Sequence, residues 1–427
     1  MRGLVCVIIV LLAFACNGGE EGPRTATPAP SPSATATATV VASSTPTPET
    51  TAAPEIAYVR AGTADVWLMA ADGSGKRNLT QGGCPYGSRL YWSPQGDRIA
   101  CISSVAVPQV ETRLLIFDLD GQITLSLQHA GYFFGWPPSL WSPSGQRLAY
   151  GVQEDAPRSE GAEQRPPETP VLMVVDAAQG TLRSIPGGEW PQWSSDADRL
   201  AYHQAVDDAL VVYDPASGQE ETLANGLRPL GWVLGGKKLL VAANYQEQEE
   251  GATYEANLLD PATGQMTRTP DLDNTDFWLS PDEDIVAFHA LGARARDYRL
   301  AMLNLSSLQL SPIAGSSIGY GSDFIPQDSL AFSRDGSDIY WVDRTDAPET
   351  IYKANRDGSG LVKLLEPPGW FGGFSPDLRS ILYYVYHRPE DANKLPNGLW
   401  ASNIDGSDAR FLAEQEQVSW AAWRPTP

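Results

Sequence analysis

The amino-acid sequence predicts an all-β fold, a β-propeller of eight four-stranded blades, with seven blades and one irregular insertion as the alternative. A phrase of the type "YWSPQGDRIA", residues 91–100, returns along the chain at variable spacing. Each copy is followed by short alternating runs of β-branched and aromatic residues, bounded by Gly, Pro, Asp and Ser. The aromatic residues that open the phrase, here called the anchors, are Trp92, Trp141, Trp193, Trp232, Trp278, Phe332, Phe374 and Trp423.

The repeat has the length and strand content of a propeller blade. Each unit of about 45 residues contains four short runs that read as strands. A blade cannot bury both of its faces alone, so we expect each anchor to pack between neighbouring blades. The repeated phrase is therefore interpreted as structural. Phe332 is the least typical anchor, which is why seven blades remain an alternative.

The two ends of the repeat region predict how the ring closes. The run at 56–59 has no phrase before it, and the phrase at Trp423 has no strand run after it. Residues 420–424 should therefore form the innermost strand of the blade that residues 56–59 begin. This 3+1 closure removes an open sheet edge.

The repeats resemble the WD40-like (PD40) repeats of TolB-type propellers. Residues 65–80, "DVWLMAADGSGKRNLT", match the second half of that repeat almost word for word. The resemblance covers residues 55–427 and implies the propeller fold, although TolB itself has six blades. It implies little about function, because such propellers serve many roles.

The N-terminus predicts a bacterial lipoprotein. Residues 4–15 form an apolar run that is too short for a permanent membrane span and has the length of a signal-peptide core. The run ends in "AFAC", which resembles a lipobox and implies that Cys16 carries lipid. The expected location is extracytoplasmic, with the membrane reached through this anchor only. An ordinary secretory signal is the alternative.

Residues 17–54 predict a disordered tether. Thr, Pro, Ala and Ser dominate this segment, and no part of it shows a periodic apolar face. Such a composition cannot bury enough surface to offset the conformational entropy of folding. The predicted domains are therefore the signal at 1–16, the tether at 17–54 and the propeller at 55–427.

The charge balance disfavours some partners. The formal net charge is −22, with 52 acidic and 30 basic residues. Nucleic acid is not expected as a partner, because its binding requires many Lys and Arg contacts to phosphate. A soluble surface and a monomer are expected.

Four cysteines have different predicted fates. Cys6 leaves with the signal and Cys16 is the lipidation candidate, so Cys84 and Cys101 remain in the propeller. An exported compartment permits a disulfide between these two, and independent buried thiols are the alternative.

The search for catalytic chemistry gives no catalytic residue, no cofactor and no metal site. The string "GSSIG" at 315–319 lacks the following helix that a nucleophile elbow requires. His203, His289 and His387 fall on alternate blades, too far apart to share one ion. The "DGSG" turns offer one Asp each, which suits a local Asx-turn better than calcium.

A non-catalytic binding or scaffold module is therefore predicted, tethered to the membrane and holding a protein, peptide or glycan. The alternative is a carbohydrate-active enzyme, a glycan lyase or hydrolase that uses loop residues. A purely structural envelope component is a third hypothesis.

The blade topology predicts which face carries the ligand. The "turn face" holds the short strand 1–2 and strand 3–4 turns, and the "loop face" holds the strand 2–3 loops and the connections between blades. Long segments expected on the loop face are 130–139, 154–170, 246–255, 367–373 and 387–397. Function concentrates on loops held by a scaffold, and aromatic residues there are good anchors for a ligand. The candidate ligand-binding residues are Phe133, Phe134, Trp136, Trp370 and Phe371, unless they fold inward and fill the gaps between blades.

Overall fold

The computed structural model contains eight antiparallel sheets, one for each predicted four-stranded blade, and the sheet of blade 2 has a fifth, two-residue strand at its edge. It describes residues 39–40, 55–60, 62–80, 82, 84, 88–106, 110–134, 140–153, 170–180, 182–248, 251–270, 272, 277–291, 298–313, 329–344, 348–386, 395–414, 418 and 420–425. Cys16, Trp136 and His387 lie outside these ranges, as do the signal peptide and all of the predicted tether except 39–40.

Each sheet is a simple meander of consecutive strands, with the closing blade as the exception. A two-residue strand, β1 (Thr39–Val40), precedes the blades. Blade 1 contains β2 (Glu55–Arg60), β3 (Asp65–Ala70) and β4 (Arg77–Asn78); blade 2 contains β5 (Arg89–Trp92), β6 (Arg98–Ala106), β7 (Val110–Asp118) and β8 (Ile123–Ala130); blade 3 contains β9 (Tyr132–Phe134), β10 (Arg147–Gln153), β11 (Pro170–Asp176) and β12 (Leu182–Pro186); and blade 4 contains β13 (Gly188–Trp193), β14 (Leu200–Gln204), β15 (Ala209–Asp214) and β16 (Gln219–Asn225). Strand β1 pairs with the outer edge of β8.

The remaining blades have the same plan. Blade 5 contains β17 (Leu227–Val233), β18 (Lys238–Gln248), β19 (Gly251–Leu259) and β20 (Met266–Arg268); blade 6 contains β21 (Phe277–Leu279), β22 (Ile285–Leu291), β23 (Tyr298–Asn304) and β24 (Gln309–Pro312); blade 7 contains β25 (Leu330–Phe332), β26 (Asp338–Asp343), β27 (Thr350–Asn355) and β28 (Val362–Leu365); and blade 8 contains β29 (Trp370–Phe374), β30 (Ser380–Val385), β31 (Gly398–Asn403) and β32 (Arg410–Glu414). The last strand, β33 (Trp420–Trp423), belongs to blade 1. Within the described residues, no helix is long and apolar enough to cross a membrane.

The 3+1 closure is confirmed. Strand β33 pairs antiparallel with β2, with Trp423 opposite Ile56 and Trp420 opposite Val59. The backbone N–H of Arg424 donates to the carbonyl of Glu55 at 2.8 Å, and the two side chains form an ion pair at 2.8 Å. The eight-bladed prediction is also confirmed, and Phe332 ends the first strand of blade 7.

The anchors join neighbouring blades through their indole nitrogens. The Nε1 atoms of Trp92, Trp141, Trp193 and Trp232 donate to the carbonyls of Ala422, Tyr91, Leu140 and Gln192 at 3.0–3.3 Å. Each acceptor is the residue immediately before the anchor of the preceding blade. The anchor thus combines apolar burial with a satisfied polar group, as buried Trp requires.

The serine of the phrase organises the turn that follows. Ser93, Ser142 and Ser194 are fully buried. Their Oγ atoms accept the backbone N–H of the residue five positions later, at 2.9–3.2 Å. A side-chain hydroxyl that closes a tight turn in this way explains why Ser recurs in the phrase.

Contacts between turns show that both kinds of short turn share one face. Arg356 lies in the strand 3–4 turn of blade 7, and its Nη1 is 2.6 Å from a carboxylate oxygen of Asp282, in the strand 1–2 turn of blade 6. Neighbouring strand 1–2 turns are also joined, because Arg98 donates to the carbonyl of Gly145 at 2.7 Å.

Three segments expected as loops contain strand residues. Tyr132–Phe134 forms β9, and Trp370–Phe374 forms β29, so both are parts of first strands. Most of 246–255 belongs to the hairpin of β18 and β19, which pair as far as Gln248 and Gly251. Their loop composition misled the prediction because Gly and Pro flank the first two segments and charged residues fill the third. Most of 154–170 and 387–397 lies outside the described residues.

Candidate binding site on the loop face

The predicted ligand-binding aromatics have different environments. Phe133 in β9 is half-buried, and its ring packs against Tyr150 with 6.4 Å between centroids. Phe371 is 4% exposed and packs against Phe374 at 4.6 Å. Trp370 is 62% exposed. The structure thus turns Phe133 and Phe371 inward and leaves Trp370 available to a ligand.

The side chains of Phe134 and Trp136 lie outside the described residues. Phe134 pairs with Gly151 through its backbone in β9, but its side chain lies outside the described part of the molecule. Trp136 lies outside it entirely.

A buried carboxylate holds Phe371 in place. Glu349 accepts the backbone N–H of Phe371 at 2.5 Å and lies 3.0 Å from the guanidinium of Arg344. Burial raises the pKa of Glu349, and the positive charge of Arg344 opposes that rise. These contacts tie the start of blade 8 to the strand 2–3 end of blade 7.

The cysteine pair is joined. Cys84 and Cys101 form a disulfide whose Cα atoms are 6.2 Å apart. Both side chains are buried in the cluster between blades 1 and 2. The bond has a structural position, away from the exposed aromatic residues.

A cluster of aromatic rings around an arginine, absent from the sequence prediction, joins blades 4 and 5. The guanidinium carbon of Arg228 lies 3.8 Å from the centroid of the Tyr245 ring and 6.0 Å from that of Trp190. Trp190 meets Tyr245 edge-on at 5.6 Å, and Tyr245 stacks on Tyr254 at 6.3 Å. Contacts of this type stabilise a cation by the negative face of the ring.

Local backbone geometry places Trp190 in this cluster. Its φ is +57°, and the register of β13 against β14 shifts between Glu189 and Gln192. A bulge of this kind redirects a side chain, and bulges are common beside functional sites. Positive φ at a bulky residue is strained and persists only where the surroundings hold it.

His203 lies beneath the same stretch of β13. Its Nε2 is 3.0 Å from Asp208, and its Nδ1 is 3.8 Å from Glu189. The ring is only 2% exposed. With two carboxylates beside it and almost no solvent contact, His203 supports the strand segment that carries Trp190.

The described residues contain no cluster of His, Cys, Asp and Glu suited to a metal ion. His129, which the sequence analysis did not discuss, is bonded to the hydroxyl of Tyr150 at 2.7 Å, and burial lowers its pKa. The side chain of His289 lies outside the described residues, as does all of His387.

A second arginine–tryptophan contact joins blades 1 and 2. The guanidinium of Arg89 lies 5.3 Å from the ring centroid of Trp420, and burial lowers the pKa of Arg89. Arg89 and Trp420 begin β5 and β33, so both lie at the loop-face ends of first strands.

Five such residues form what we call the rim: Arg89, Trp190, Arg228, Trp370 and Trp420. Each lies three or four residues before an anchor, in the first strand of its blade. Counting back from the anchors would have found them from sequence. The search for loop aromatics missed Trp190 and Trp420, which lie outside the segments taken as long loops, and did not consider Arg89 and Arg228.

Comparison with known proteins supports the fold alone. No protein-family model matches the chain, and no curated protein matches it. A crystal structure of a eukaryotic initiation factor is similar with a TM-score of 0.52 and 16% identity, covering 88% of this chain and all of that chain.

Two further structures share the architecture. Dipeptidyl peptidase 4 from Porphyromonas gingivalis is similar with a TM-score of 0.50 and 11% identity, covering 77% of this chain and 53% of that one. TolB from Acinetobacter baumannii gives a TM-score of 0.36 at 17% identity, covering 76% and 82% of the two chains. The eight blades follow from the sheets of this chain alone, and likenesses at such identities define no activity.

Proposed function

We propose that this chain is a non-catalytic propeller that binds a protein, peptide or glycan at the rim on its loop face. The observation that carries the proposal is Trp370, which is 62% exposed at the start of a first strand. Exposed Trp and stacked Arg are the residue types that most often dominate binding energy. A rigid strand holds each of them, which limits the entropy lost on binding.

The rim differs in character from the turn face. On the turn face, the Asp of each "DGSG" turn accepts hydrogen bonds from its own turn, as Asp72, Asp357 and Asp405 do from the Ser two residues later. The arginines there also bond neighbouring turns. Polar groups satisfied within the scaffold offer less to a ligand.

The test compares the two surfaces with the full-length protein. Binding to a peptide array and a glycan array would be measured for the parent, for Trp370→Ala and for the control Met266→Ala, which removes a 51% exposed side chain from outer strand β20. We expect Trp370→Ala to weaken binding of the array ligands at least about tenfold, the scale of a hot-spot residue, and Met266→Ala to leave it unchanged. Equal binding by all three proteins would contradict the proposal.

The alternative is a glycan lyase or hydrolase that uses loop residues, and His203 is the described histidine that lies beside two carboxylates. Its burial beneath β13 favours the binding hypothesis, because a general base must come within hydrogen-bond reach of the substrate.

We also propose that Cys16 is lipidated and tethers the propeller to the outside of the cell membrane. The support is the apolar run at 4–15 followed by "AFAC" and the Thr/Pro-rich segment. Replacing Cys16 by Ser should release the protein into the soluble exported fraction. Retention of the Ser variant in the membrane fraction would contradict lipid anchoring.

A further inference from the structure

Arg228 has the arrangement of an arginine prepared for an anion. Its guanidinium lies against the face of Tyr245, at 3.8 Å from the ring centroid. A guanidinium over a ring face can keep the N–H donors at its edge for bonds in its own plane. No described residue accepts a hydrogen bond from these donors or forms an ion pair with them.

Other stacked arginines of this molecule use their donors within the scaffold. Arg199 stacks on Trp232 and also bonds Asp196 and the carbonyl of Gly236. Arg98 stacks on Trp141 and donates to the carbonyl of Gly145. Those arginines lie on the turn face and join neighbouring blades. Arg228 shares their position over a ring but not their internal partners, so its donors remain available to a ligand.

The geometry of the group selects a carboxylate. A guanidinium fork binds a planar carboxylate through two parallel N–H···O bonds. The formal charge of −22 disfavours a polyanionic ligand, because such a ligand would be repelled by the protein as a whole. A single carboxylate with neutral or basic groups beside it avoids this repulsion.

The residues around Arg228 indicate which other chemical groups the ligand carries beside that carboxylate. The partly exposed Trp190 offers aromatic surface for an apolar side chain, while the ring of Tyr245 is occupied by Arg228, Tyr254 and Trp190. Asp208, with a 68% exposed side chain, and the partly exposed Glu189 lie by His203 below Trp190 and favour a basic group nearby. The C-terminus of a peptide combines these features, since it carries one carboxylate, a last side chain and a variable residue upstream.

We infer that Arg228 binds the C-terminal carboxylate of a peptide ligand, with Trp190 contacting its last side chain. This inference rests on the proposed function and names the ligand class for the blade 4–5 part of the rim. A glycan ligand would be a different outcome of the test below.

The experiment uses two pools of N-acetylated tetrapeptides with randomised residues, one with free C-terminal carboxylates and one with C-terminal amides. Each pool is titrated into the full-length protein. We expect the free-acid pool to bind at least about tenfold more tightly, the value of a hydrogen bond to a charged group. The variant Arg228→Gln should lose this preference, and Arg228→Lys should lose most of it because an ammonium lacks the fork.

Arg60→Gln is the matched control, because Arg60 also stacks on a tryptophan, Trp67, at 5.2 Å, and its loss changes the net charge equally. It should keep the preference, and all variants should keep the parent unfolding midpoint. Equal binding of the two pools, binding of neither, or a preference that survives in Arg228→Gln would overturn the inference. If Trp370→Ala still weakens array binding in those cases, the proposed function stands and only the ligand class is wrong.

Discussion

The indole nitrogen of Trp141 donates to the backbone carbonyl of Tyr91 at 3.0 Å, and this bond joins blade 3 to blade 2. Trp141 is 2% exposed, and the guanidinium of Arg98 lies 5.2 Å from its ring centroid. The same residue thus fills the gap between two blades and satisfies its own polar atom there.

Replacing Trp141 by Ala should therefore lower the free energy of unfolding by about 3–5 kcal/mol, the cost of removing a large buried aromatic. Trp141→Phe keeps most of the apolar contact and loses the hydrogen bond, so its cost should be nearer 1 kcal/mol. Urea unfolding measures both. Trp370→Ala, which removes an exposed Trp, is the control with little expected effect. An equal loss in Trp141→Ala and Trp370→Ala would argue against an inter-blade role for the anchor.

Deleting residues 418–427 should open the first blade. Strand β33 would be lost, together with the buried ring of Trp423, and the inner edge of β2 would be left unpaired. We expect a loss of several kcal/mol, since buried aromatic removal alone costs about 3–5 kcal/mol. Arg424→Gln, which removes only a partly exposed ion pair, should cost about 1 kcal/mol or less. An unchanged midpoint after the deletion would contradict the importance of the closure.

The double substitution Cys84→Ala with Cys101→Ala should lower stability by about 3 kcal/mol, as expected for a cross-link that closes a loop of this size. The two residues are 17 positions apart. Unfolding with and without a reductant measures the effect. The reductant should destabilise the parent and leave the double variant unaffected, and a parent insensitive to reductant would argue against the bond.

The free energy of unfolding should decrease as pH falls through a range that is set partly by Asp282. Its burial favours the neutral form, but hydrogen bonds from Arg356 and Ser280 outweigh that effect and lower its pKa from 3.8 to about 2. Because the folded-state pKa is the lower one, the stabilisation is complete above the unfolded pKa and is lost as pH falls from 3.8 towards 2. Asp282→Asn should flatten this part of the stability profile, and Arg356→Gln should flatten it too. Denaturant midpoints between pH 5 and pH 2 provide the measurement, and parallel profiles for parent and variants would contradict the assignment.

The repeated phrase predicted the fold because each copy obeys the same local chemistry. A buried Ser, a tight turn and a Trp that reaches the previous blade recur at each of several blades, so blade number and closure followed from counting them. The rim was harder to predict. The rim positions could have been counted from the anchors, but the contact of Trp190 with Arg228 could not, because it depends on a bulge with positive φ that leaves no pattern in the local sequence.

Phe133 and Phe371 follow the alternative stated for them, in which the rings fold inward. Their segments are rich in Gly, Pro and aromatics, which is typical of exposed loops, and both were candidates for ligand contact. Tertiary packing turns Phe133 onto Tyr150 and Phe371 onto Phe374. An aromatic residue next to a Gly carries no local signal of the direction in which its ring points.

The pairing of β2 with β33 determines which face of the propeller carries the start of β2. Strand β2 begins at Glu55, beside Arg424, and the ring of Trp92 and the turn that contains Gly96 also lie against Arg424. Strand β2 therefore begins on the turn face, opposite the rim. A ligand bound at the rim would therefore lie on the face opposite the start of β2 and would not compete with that end of the chain for space.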